Sequence, residues 1–357
     1  MRAAVLRAVG DDKLDLPDDV TAEGPGPGQV RVRIAATGVC HSDLSGMNGT
    51  IPTEVPVVLG HEGAGEVIAV GDLVTGLAEG DHVIISWMPP CGACADCLRG
   101  QPQLCLSGLA AGAVPPFKQD GQPLFAFAGT GTFAEEVVVA SQAAVKIPDD
   151  VPFDVASLIG CGVTTGVGAA INTARVRPGS SVVVFGCGGV GISVIQGARI
   201  AGAADIVAVD LVDGKLEMAK QLGATHAVKP DDLAELSGQL TVGGFDYAFE
   251  AIGNPITIRA AFDAARRGGD VIVVGVGRMD QFVQFNAFEL FFNEKNFKGS
   301  LYGSADVRTD FHRLLRLWRG GQLDLEGMIT RRSGLDGINE AFRAMQAGEV
   351  VRTVIEL

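Results

Sequence analysis

A glycine-rich segment in the middle of the chain is the feature that most limits its fold. Residues 181–191 read SVVVFGCGGVG, in which Gly186, Gly188 and Gly191 form a G-x-G-x-x-G pattern between strand-forming residues and an apolar-periodic segment. In a dinucleotide-binding unit the first glycine permits a tight turn, the second lets backbone approach a pyrophosphate, and the third allows close strand–helix packing. Since the chain contains 49 glycines, the pattern is weak without supporting context.

The segments around this pattern alternate between two kinds of periodicity. The strand-like runs SVVVFG, DIVAVD, HAV, DYAFEA and DVIVVG are separated by helix-like stretches around GVGISVIQGARIAG, GKLEMAKQLG and ITIRAAFDAA. Such alternation predicts βαβ units, a parallel sheet and helices on both of its faces. We therefore predict a doubly wound α/β domain after about residue 163.

Asp210 ends the second of these strand-like runs, nineteen residues after Gly191. An acid at this distance hydrogen-bonds the ribose hydroxyls of NAD and repels the 2′-phosphate of NADP, and the neutral Leu211 follows it instead of an arginine. The pattern favours NAD, with an ordinary turn aspartate as the alternative interpretation. Four glycines are expected to contact the cofactor: Gly186, Gly188, Gly189 and Gly191.

The length of 357 residues exceeds what one hydrophobic core usually supports, which predicts two domains. Before residue 160, short strand-like runs separated by Gly and Pro predict a mostly antiparallel, barrel-like domain. The tail after about residue 302 has two helix-like stretches and a final strand. The early runs are AAVLRAV, QVRVRIAA, GEVIAV, DHVIIS and EEVVVA, and the tail segments are VRTDFHRLLRLW, GINEAFRAM and VVRTVIEL.

The charge balance bears on possible partners. Lys and Arg number 28 against 42 Asp and Glu, which gives a formal net charge of -14. An acidic protein is repelled by phosphate backbones, which argues against nucleic acid and anionic membranes as partners. The apolar run at 181–195 is too short and glycine-rich to span a bilayer, and the N-terminus does not resemble a secretory signal, so we expect a cytoplasmic enzyme.

Four of the seven cysteines lie within fifteen residues, in the segment CGACADCLRGQPQLC. Cys91, Cys94, Cys97 and Cys105 are separated by two, two and seven residues, and four thiolates close a tetrahedral zinc shell. The alternatives are free thiols and an iron–sulfur cluster, but the bacterial ferredoxin run has a gap of three before a last cysteine followed by proline. Here Leu106 follows, and the spacing predicts a structural zinc.

Two of the remaining cysteines, Cys40 and Cys161, lie far apart in sequence, while Cys187 is expected to pack inside the glycine-rich loop. With His61 of LGHEGAGEV they would form a three-ligand zinc shell whose fourth position is open, as catalysis requires. His41 is adjacent to Cys40, but neighbours on an extended strand point to opposite faces. From spacing alone, buried cysteines and a satisfied histidine remain the alternative.

The motifs GVCHSD, GHEGAGEV, the Cys91–Cys105 lobe, GCGVTTG and FGCGGVG occur in the order found in zinc-dependent medium-chain alcohol dehydrogenases, which the chain resembles over its whole length. The resemblance implies an NAD-binding Rossmann domain at 163–301. It also implies a GroES-like, mostly β catalytic domain with a structural zinc lobe, formed by residues 1–162 and 302–357. Two zinc ions per chain and a homodimer or homotetramer, with Rossmann sheets pairing near FKGSLYG, are further expectations.

The resemblance assigns the catalytic zinc to Cys40, His61 and Cys161. Glu62 resembles the carboxylate that the family keeps close to the metal. Asp43 resembles the acceptor that orients the histidine ring, with a turn carboxylate as the alternative.

Ser42 resembles the hydroxyl residue that contacts the alcohol oxygen. Three residues further on, where many relatives carry the histidine of a proton relay, this chain has Ser45. Serine cannot act as a base near neutral pH. We therefore hypothesise that the outer relay is incomplete or uses water, with His41 as a conceivable substitute.

Other contacts are implied by resemblance alone. The cofactor would meet His41 and Arg352 at its pyrophosphate, Val190 behind its nicotinamide ring, and also Thr165, Lys215 and Val276; Lys215 is otherwise a solvated helix residue. The substrate pocket would include Ile51, Trp87, Phe127, Ala128 and Val276, any of which could instead be plain core.

The expected activity is reversible oxidation of a primary alcohol to an aldehyde. The bulky Trp87 should disfavour branching at the carbinol carbon, and the small Ala128 should leave room further out. We therefore expect primary alcohols with a flat or extended tail, such as aromatic, allylic or longer aliphatic ones. The alternatives are a dehydrogenase for the thiol adduct of formaldehyde, an enzyme with permanently bound NAD, and a non-catalytic zinc- and nucleotide-binding protein.

Overall fold

The structure is a computed structural model that describes residues 1–110 and 113–357. The described chain forms two compact units, and we call them the first unit and the second unit. The first unit contains Met1–Gly162, Asp306–Arg316 and Ile329–Leu357, and the second contains Val163–Ala305 and Leu317–Met328.

These boundaries differ from the predicted ones, because residues 302–305 and 317–328 belong to the second unit rather than the first. Two local contacts explain the difference. The Gln196 side chain donates to the Asp324 carbonyl at 3.0 Å and accepts its N–H at 2.8 Å. Gly303 packs so closely on Gly168 that a Cβ on Gly168 would overlap its backbone.

The strands are short except in the centre of the first unit. They are β1 (Val5–Leu6), β2 (Thr21–Ala22), β3 (Gln29–Val39), β4 (Val57–Val58), β5 (Glu62–Val70), β6 (His82–Ile85), β7 (Phe117–Gln119), β8 (Gln122–Ala126), β9 (Glu136–Ala140), β10 (Ala144–Lys146), β11 (Ser181–Phe185), β12 (Asp205–Val209), β13 (His226–Val228), β14 (Phe245–Glu250), β15 (Ala265–Val273), β16 (Asn296–Gly299), β17 (Ile329–Gly334) and β18 (Arg352–Glu356).

The α-helices include all five predicted helical stretches. They are α1 (His41–Met47), α2 (Ala95–Leu98), α3 (Leu106–Ala110), α4 (Phe153–Leu158), α5 (Thr164–Gly168), α6 (Gly189–Ile200), α7 (Asp213–Gln221), α8 (Leu233–Leu240), α9 (Pro255–Ala264), α10 (Ala287–Asn293), α11 (Val307–Arg319) and α12 (Ile338–Gln346). A π-helical turn, Ile159–Val163, follows α4 directly.

The first unit is built from mostly antiparallel sheets, as predicted. One has the order β1-β4-β8-β7-β2, and the other has the order β10-β6-β5-β3-β18-β17 with β9 also paired to β3. Alternating residues of β3, among them Val30, Val32 and Ile34, are buried in one apolar cluster, which is the pattern expected of a half-buried strand. The C-terminal strand β18 pairs antiparallel with β3, so the end of the chain returns to the first unit.

The predicted run AAVLRAV forms only a two-residue strand. Val5 and Leu6 pair with β4, whereas Ala3 makes a single bridge to Ala134 outside the named strands.

The second unit contains the predicted parallel sheet, with the order β13-β12-β11-β14-β15-β16. Every neighbouring pair in it is parallel. Val182, Val183 and Val184 of β11 are all buried, because helices cover both faces of a doubly wound sheet. Strands β12 and β13 lie on one side of β11, and the next strand in sequence, β14, lies on the other side. The topological switch point therefore lies between β11 and β14.

One helical run, Phe153–Ala174, is long and apolar enough to cross a membrane. In its most apolar window 89% of the residues are buried inside the protein, as expected for a core helix.

Candidate active site

Four metal-binding side chains of the first unit converge although they come from distant parts of the chain. The ligand atoms of Cys40, His61, Glu62 and Cys161 all lie within 4.8 Å of one another. The three predicted zinc ligands are buried, with 5%, 2% and 7% of Cys40, His61 and Cys161 exposed. Two thiolates and an imidazole are zinc ligands, so the donor set fits the predicted ion.

The local backbone separates Cys40 from its neighbour His41. Cys40 has the extended conformation of a residue that precedes a helix, with φ -117° and ψ 152°, and His41 begins α1. As a result Cys40 is buried and His41 is exposed. The Asp43 carboxylate accepts the N–H of Cys40 at 3.1 Å, which fixes this turn.

His61 is held by the same carboxylate. Its Nδ1 lies 3.0 Å from Oδ1 of Asp43, and that oxygen also accepts the N–H of Gly60 at 3.0 Å. The other ring nitrogen, Nε2, is buried and has no hydrogen-bond partner within the described part of the chain. A carboxylate on one ring nitrogen and a vacant second nitrogen is the usual arrangement of a zinc-binding histidine, so the geometry fits the metal.

Charge is concentrated in this cluster. Burial lowers the pKa of His61, but the Asp43 carboxylate and the Cys40 thiolate outweigh it and raise the pKa to about 10. A hydrogen bond from Cys161 is the largest influence on Cys40 and brings its pKa well below the ordinary value, despite burial. The cluster thus combines an acidic thiol with a basic imidazole, and zinc binds the deprotonated form of each.

Glu62 is bound to Arg352 rather than free to complete a four-ligand shell. The guanidinium Nη2 of Arg352 donates to Oε2 of Glu62, both side chains are buried, and Oε1 accepts the N–H of Gly162 at 3.1 Å. Gly38 lies between them on β3, where a Cβ would collide with both. Arg352 thus neutralises the carboxylate beside the zinc ligands, and its predicted phosphate contact stays a prediction.

The predicted substrate residues have different surroundings. The Phe127 ring stands edge-on to the His61 ring, with 5.6 Å between centroids. Phe127 and Ile51 belong to the same apolar cluster. Ala128 is exposed with a positive φ of 51°, and Trp87 is half-buried after β6.

Ser42 and Ser45 occupy one face of α1, one turn apart. Ser42 Oγ lies 3.8 Å from the Cys40 Sγ, which places the hydroxyl beside the metal ligands. Ser45 is half-buried one turn further from Cys40, and its carbonyl accepts the Ile51 N–H at 3.0 Å.

The four-cysteine lobe is compact and lies nearer to solvent. All four sulfur atoms lie within 4.8 Å of one another, and those of Cys94 and Cys105 are 3.8 Å apart. A tetrahedron with Zn–S bonds of ~2.3 Å has sulfur–sulfur edges of about 3.8 Å. Backbone N–H groups of Cys94 and Gly108 point at Cys91 and Cys105 respectively, at 3.2 and 3.3 Å. The lobe is therefore arranged for a closed zinc shell.

The glycine-rich loop lies between β11 and α6, at the switch point. Gly186 has a φ of +93°, and a Cβ on Gly191 would overlap the backbone of Gly186, so the turn and the strand–helix packing both require glycine. Gly188 faces open space, and Gly189 and Val190 begin α6. Buried Cys187, whose pKa burial raises to about 12, packs as expected.

Asp210 follows β12 and accepts the N–H of Cys187 at 2.8 Å and that of Val212 at 3.0 Å. It therefore joins the end of β12 to the glycine-rich loop. Leu211 beside it is 76% exposed, and Lys215 is half-buried in the first turns of α7.

Two further predicted cofactor residues lie elsewhere in the second unit. Thr165 is half-buried in α5, and Val276 is exposed in the loop after β15.

Some features of the site were not predicted from sequence. The Glu62–Arg352 pair joins residues 290 positions apart, and no local pattern marks it. Glu250 is the next-to-last residue of the predicted strand DYAFEA, much as Asp210 is the last residue of DIVAVD, and this similarity could have drawn attention to it.

Comparisons with known proteins agree with this geometry. Residues 26–149 match the alcohol dehydrogenase GroES-like domain, and residues 189–319 match the zinc-binding dehydrogenase domain. An S-(hydroxymethyl)glutathione dehydrogenase of Escherichia coli O1:K1 is 40% identical, over 99% of both chains. A zinc-binding-domain alcohol dehydrogenase structure from Burkholderia ambifaria has a TM-score of 0.94 at 35% identity, covering 100% of this chain and 98% of that one.

The benzyl alcohol dehydrogenase of Acinetobacter calcoaceticus has a TM-score of 0.92 at 33% identity, covering 100% of this chain and 99% of that one. A zinc-binding dehydrogenase structure from Sinorhizobium meliloti 1021, with a TM-score of 0.81 at 26% identity and covering 100% of this chain and 99% of that one, is bound to NADP. The predicted fold, two zinc sites and nucleotide cofactor are therefore confirmed at the level of the family. This chain belongs to the zinc-dependent medium-chain alcohol dehydrogenases.

Proposed function

We propose that this enzyme reversibly oxidises primary alcohols to aldehydes with NAD. The observation that carries the proposal is the cluster of three zinc ligands, Cys40, His61 and Cys161. The neighbouring Glu62 is bound by Arg352, and Nε2 of His61 has no hydrogen-bond partner within the described part of the chain. Three protein ligands leave a position for substrate, which a structural zinc site does not need. A non-catalytic binding protein would gain nothing from this arrangement.

The residues around the cluster have separable roles. Bound zinc supplies a Lewis acid for the alcohol oxygen, and bound NAD supplies the hydride acceptor. Asp43 orients His61 and increases its basicity as a ligand. Ser42, beside Cys40, relays the alcohol proton, because its hydroxyl accepts that proton while it donates its own to the next acceptor. Arg352 keeps Glu62 from presenting an unpaired negative charge to the ligands.

Proton release is expected to be the unusual part of the reaction. Ser45 lies on the same face of α1 as Ser42, where a histidine would continue the relay. We infer that the outer relay runs through water. Replacing Ser45→His should raise the oxidation rate below neutral pH and shift the pH profile, and an unchanged profile would refute this inference.

NAD is the proposed cofactor because Asp210 lies at the end of β12 and the exposed neighbour Leu211 cannot bind a 2′-phosphate. The test is a kinetic comparison of NAD with NADP. A higher kcat/KM with NADP would contradict the proposal.

The proposed substrates are aromatic, allylic or longer aliphatic primary alcohols. Phe127 packs on His61 and presents an aromatic wall beside the metal ligands, and a benzyl alcohol dehydrogenase is among the similar structures. A substrate panel followed at the absorbance of reduced cofactor tests this. Secondary alcohols with higher kcat/KM than primary ones would overturn it.

A second candidate is oxidation of S-(hydroxymethyl)glutathione, because relatives at 40% identity carry that name. Glutathione has two carboxylates, which a binding site must neutralise. The five predicted pocket residues include no cation, which favours the uncharged alcohols. Adding glutathione to formaldehyde in the assay decides between them, since only the second candidate requires the thiol.

An enzyme that keeps NAD permanently bound is the remaining alternative. Desalting of the purified protein followed by extraction of the nucleotide tests it. We propose exchangeable NAD, so the desalted protein should contain little nucleotide and should need added NAD.

We also propose a cytoplasmic homodimer or homotetramer that binds neither nucleic acid nor membranes. Strand β16 pairs only with β15 among the described strands and is an open edge. Phe297 on this strand is 44% exposed, and Phe288 and Phe291 on α10 are also exposed, which is characteristic of interfaces. Light scattering of the purified protein tests the assembly, and a monomer would contradict it.

A further inference from the structure

Glu250 is a buried carboxylate to which neither the sequence motifs nor the proposed chemistry assigns a role. It is the last residue of β14 and is fully buried. Its Oε1 accepts the N–H groups of Ile252 at 3.0 Å and Gly253 at 2.8 Å, and the hydroxyl of Thr257 at 2.7 Å. Because a buried charge is stable only when it is hydrogen-bonded, these donors lock the turn from β14 into α9.

The turn after Glu250 lies at the carboxyl edge of the parallel sheet. Ligands of open parallel sheets bind outside the carboxyl ends of the strands, at the switch point. In this sheet the switch point lies between β11 and β14. The two loops beside it are the glycine-rich loop after β11 and the segment 251–254, which we call the Glu250 turn.

The Glu250 turn contacts the loops on both sides of it. A Cβ on Gly186 would lie 2.6 Å from Cγ1 of Ile252, so the Ile252 side chain covers the first glycine of the glycine-rich loop. On the other side, a Cβ on Gly253 would overlap the backbone of Val276, and one on Gly275 would overlap Gly253. The Glu250 turn therefore contacts the glycine-rich loop through the Ile252 side chain and the loop after β15 through backbone, so a displaced Glu250 turn must displace its neighbours.

We propose that Glu250 is a positioning residue of the nucleotide site, which fixes the Glu250 turn against the glycine-rich loop and thereby sets cofactor affinity. The proposal rests on the proposed function, in which this site binds a nicotinamide dinucleotide. Glu250 acts through backbone N–H groups and does not take part in proton or hydride transfer.

Asp246 provides a matched control on the same strand. It lies near the opposite end of β14, where its carboxylate accepts the Ser181 N–H at 2.9 Å and Nε of Arg266 at 2.7 Å. Glu250→Gln and Asp246→Asn both replace a hydrogen-bonded carboxylate by an amide. Only the first change affects the carboxyl edge of the sheet.

The experiment measures the dissociation constants of NADH and NADPH by nicotinamide fluorescence, together with thermal unfolding and zinc content. For whichever nucleotide the parent enzyme binds more tightly, Glu250→Gln should weaken binding about tenfold, the effect of losing charged hydrogen bonds. Asp246→Asn should bind it like the parent, even where both variants unfold earlier. All three proteins should contain the same zinc.

Thr257→Val keeps the carboxylate and its backbone contacts, so it should fold and should weaken nucleotide binding by a factor of only about two to three. If Glu250→Gln does not fold, this variant carries the test. Parent-like affinity in the informative variant, or an equal loss in Asp246→Asn, would overturn the proposal. A parent that prefers NADPH would contradict the NAD assignment and leave the Glu250 comparison intact.

Discussion

The first unit contains two cysteine-based metal clusters that are built in opposite ways. The four cysteines of the lobe come from one fifteen-residue segment, and Cys91 is exposed. Cys40, His61 and Cys161 come from three separate segments of the chain and are all buried. Local turns position the first set, whereas in the second set Asp43 connects the turn at Cys40 with His61. A closed structural site thus depends on local chain geometry, and an open site depends on the whole unit.

Electrostatics differ in the same way. Backbone N–H groups of Ala93 and Cys94 lower the pKa of the Cys91 thiol to about 6. In the buried cluster the pKa of Cys40 is lowered chiefly by the Cys161 hydrogen bond, against the effect of burial. In the lobe, backbone N–H groups that are close in sequence lower the pKa of the Cys91 thiol. In the buried cluster, side chains that are distant in sequence lower the pKa of Cys40.

The largest predicted effect concerns the open site. Replacing Cys161→Ser removes a thiolate ligand and should lower kcat for primary alcohols by roughly 10³-fold or more, because the Lewis acid supplies several kcal/mol. Steady-state kinetics measures this. The control is Cys187→Ser, which alters a buried cysteine outside both clusters and should leave kcat within about twofold of the parent. Equal losses in both variants would mean that general destabilisation, rather than the metal, explains the effect.

A smaller effect is expected from the residue that orients His61. Asp43→Asn should weaken zinc binding at the open site about 10- to 100-fold without affecting the lobe. Competition with a chelator measures the affinities of the two sites. Asp154→Asn is the control, because that carboxylate binds Arg332 at the surface, 2.7 Å away. Retention of both zinc ions with parent affinity would show that Asp43 is only a turn residue.

The smallest predicted effect is a difference in alkylation rate between an exposed thiol of the lobe and a buried thiol of the open site. In zinc-depleted protein at pH 7, Cys91 should react with iodoacetamide about tenfold faster than Cys40, because its thiolate is exposed and that of Cys40 is buried. Lowering the pH from 7 to 5, through the Cys91 pKa of about 6, should protonate its thiolate and slow the reaction about tenfold. Mass spectrometry of peptides measures both rates. Faster modification of Cys40 would contradict the difference in burial.

The two clusters also differ in how far sequence alone predicts them. The spacing of the four lobe cysteines encodes their site, because all the ligands lie in one segment. For Cys40, His61 and Cys161, spacing left core residues as an alternative, and only the family resemblance selected these three. Pairing of β3 with β5 brings Cys40 and His61 together, and such long-range pairing has no local signature.

For the fold as well, sequence predicted local periodic elements but not long-range contacts. Alternating periodicity predicted the parallel sheet and its order of strands and helices, because buried strands and amphipathic helices have distinct patterns. Seven of the described α-helices were not predicted, namely α1–α5, α8 and α10. The observed domain boundaries differ from the predicted ones because Gln196 and Gly303 make contacts that no sequence pattern indicates. The hydrogen bonds of Glu250 form in a turn, and hydrophobic periodicity gives no information about turns.

We infer that one chain holds both a closed and an open zinc site. The zinc content of the parent, Cys161→Ser and Cys97→Ser proteins is the decisive measurement. We predict two zinc ions per parent chain and one in each variant, with the alcohol-dependent activity lost in Cys161→Ser. A parent protein with one zinc per chain, or a Cys161→Ser protein that retains both zinc ions, would show that Cys40, His61 and Cys161 do not form a second zinc site.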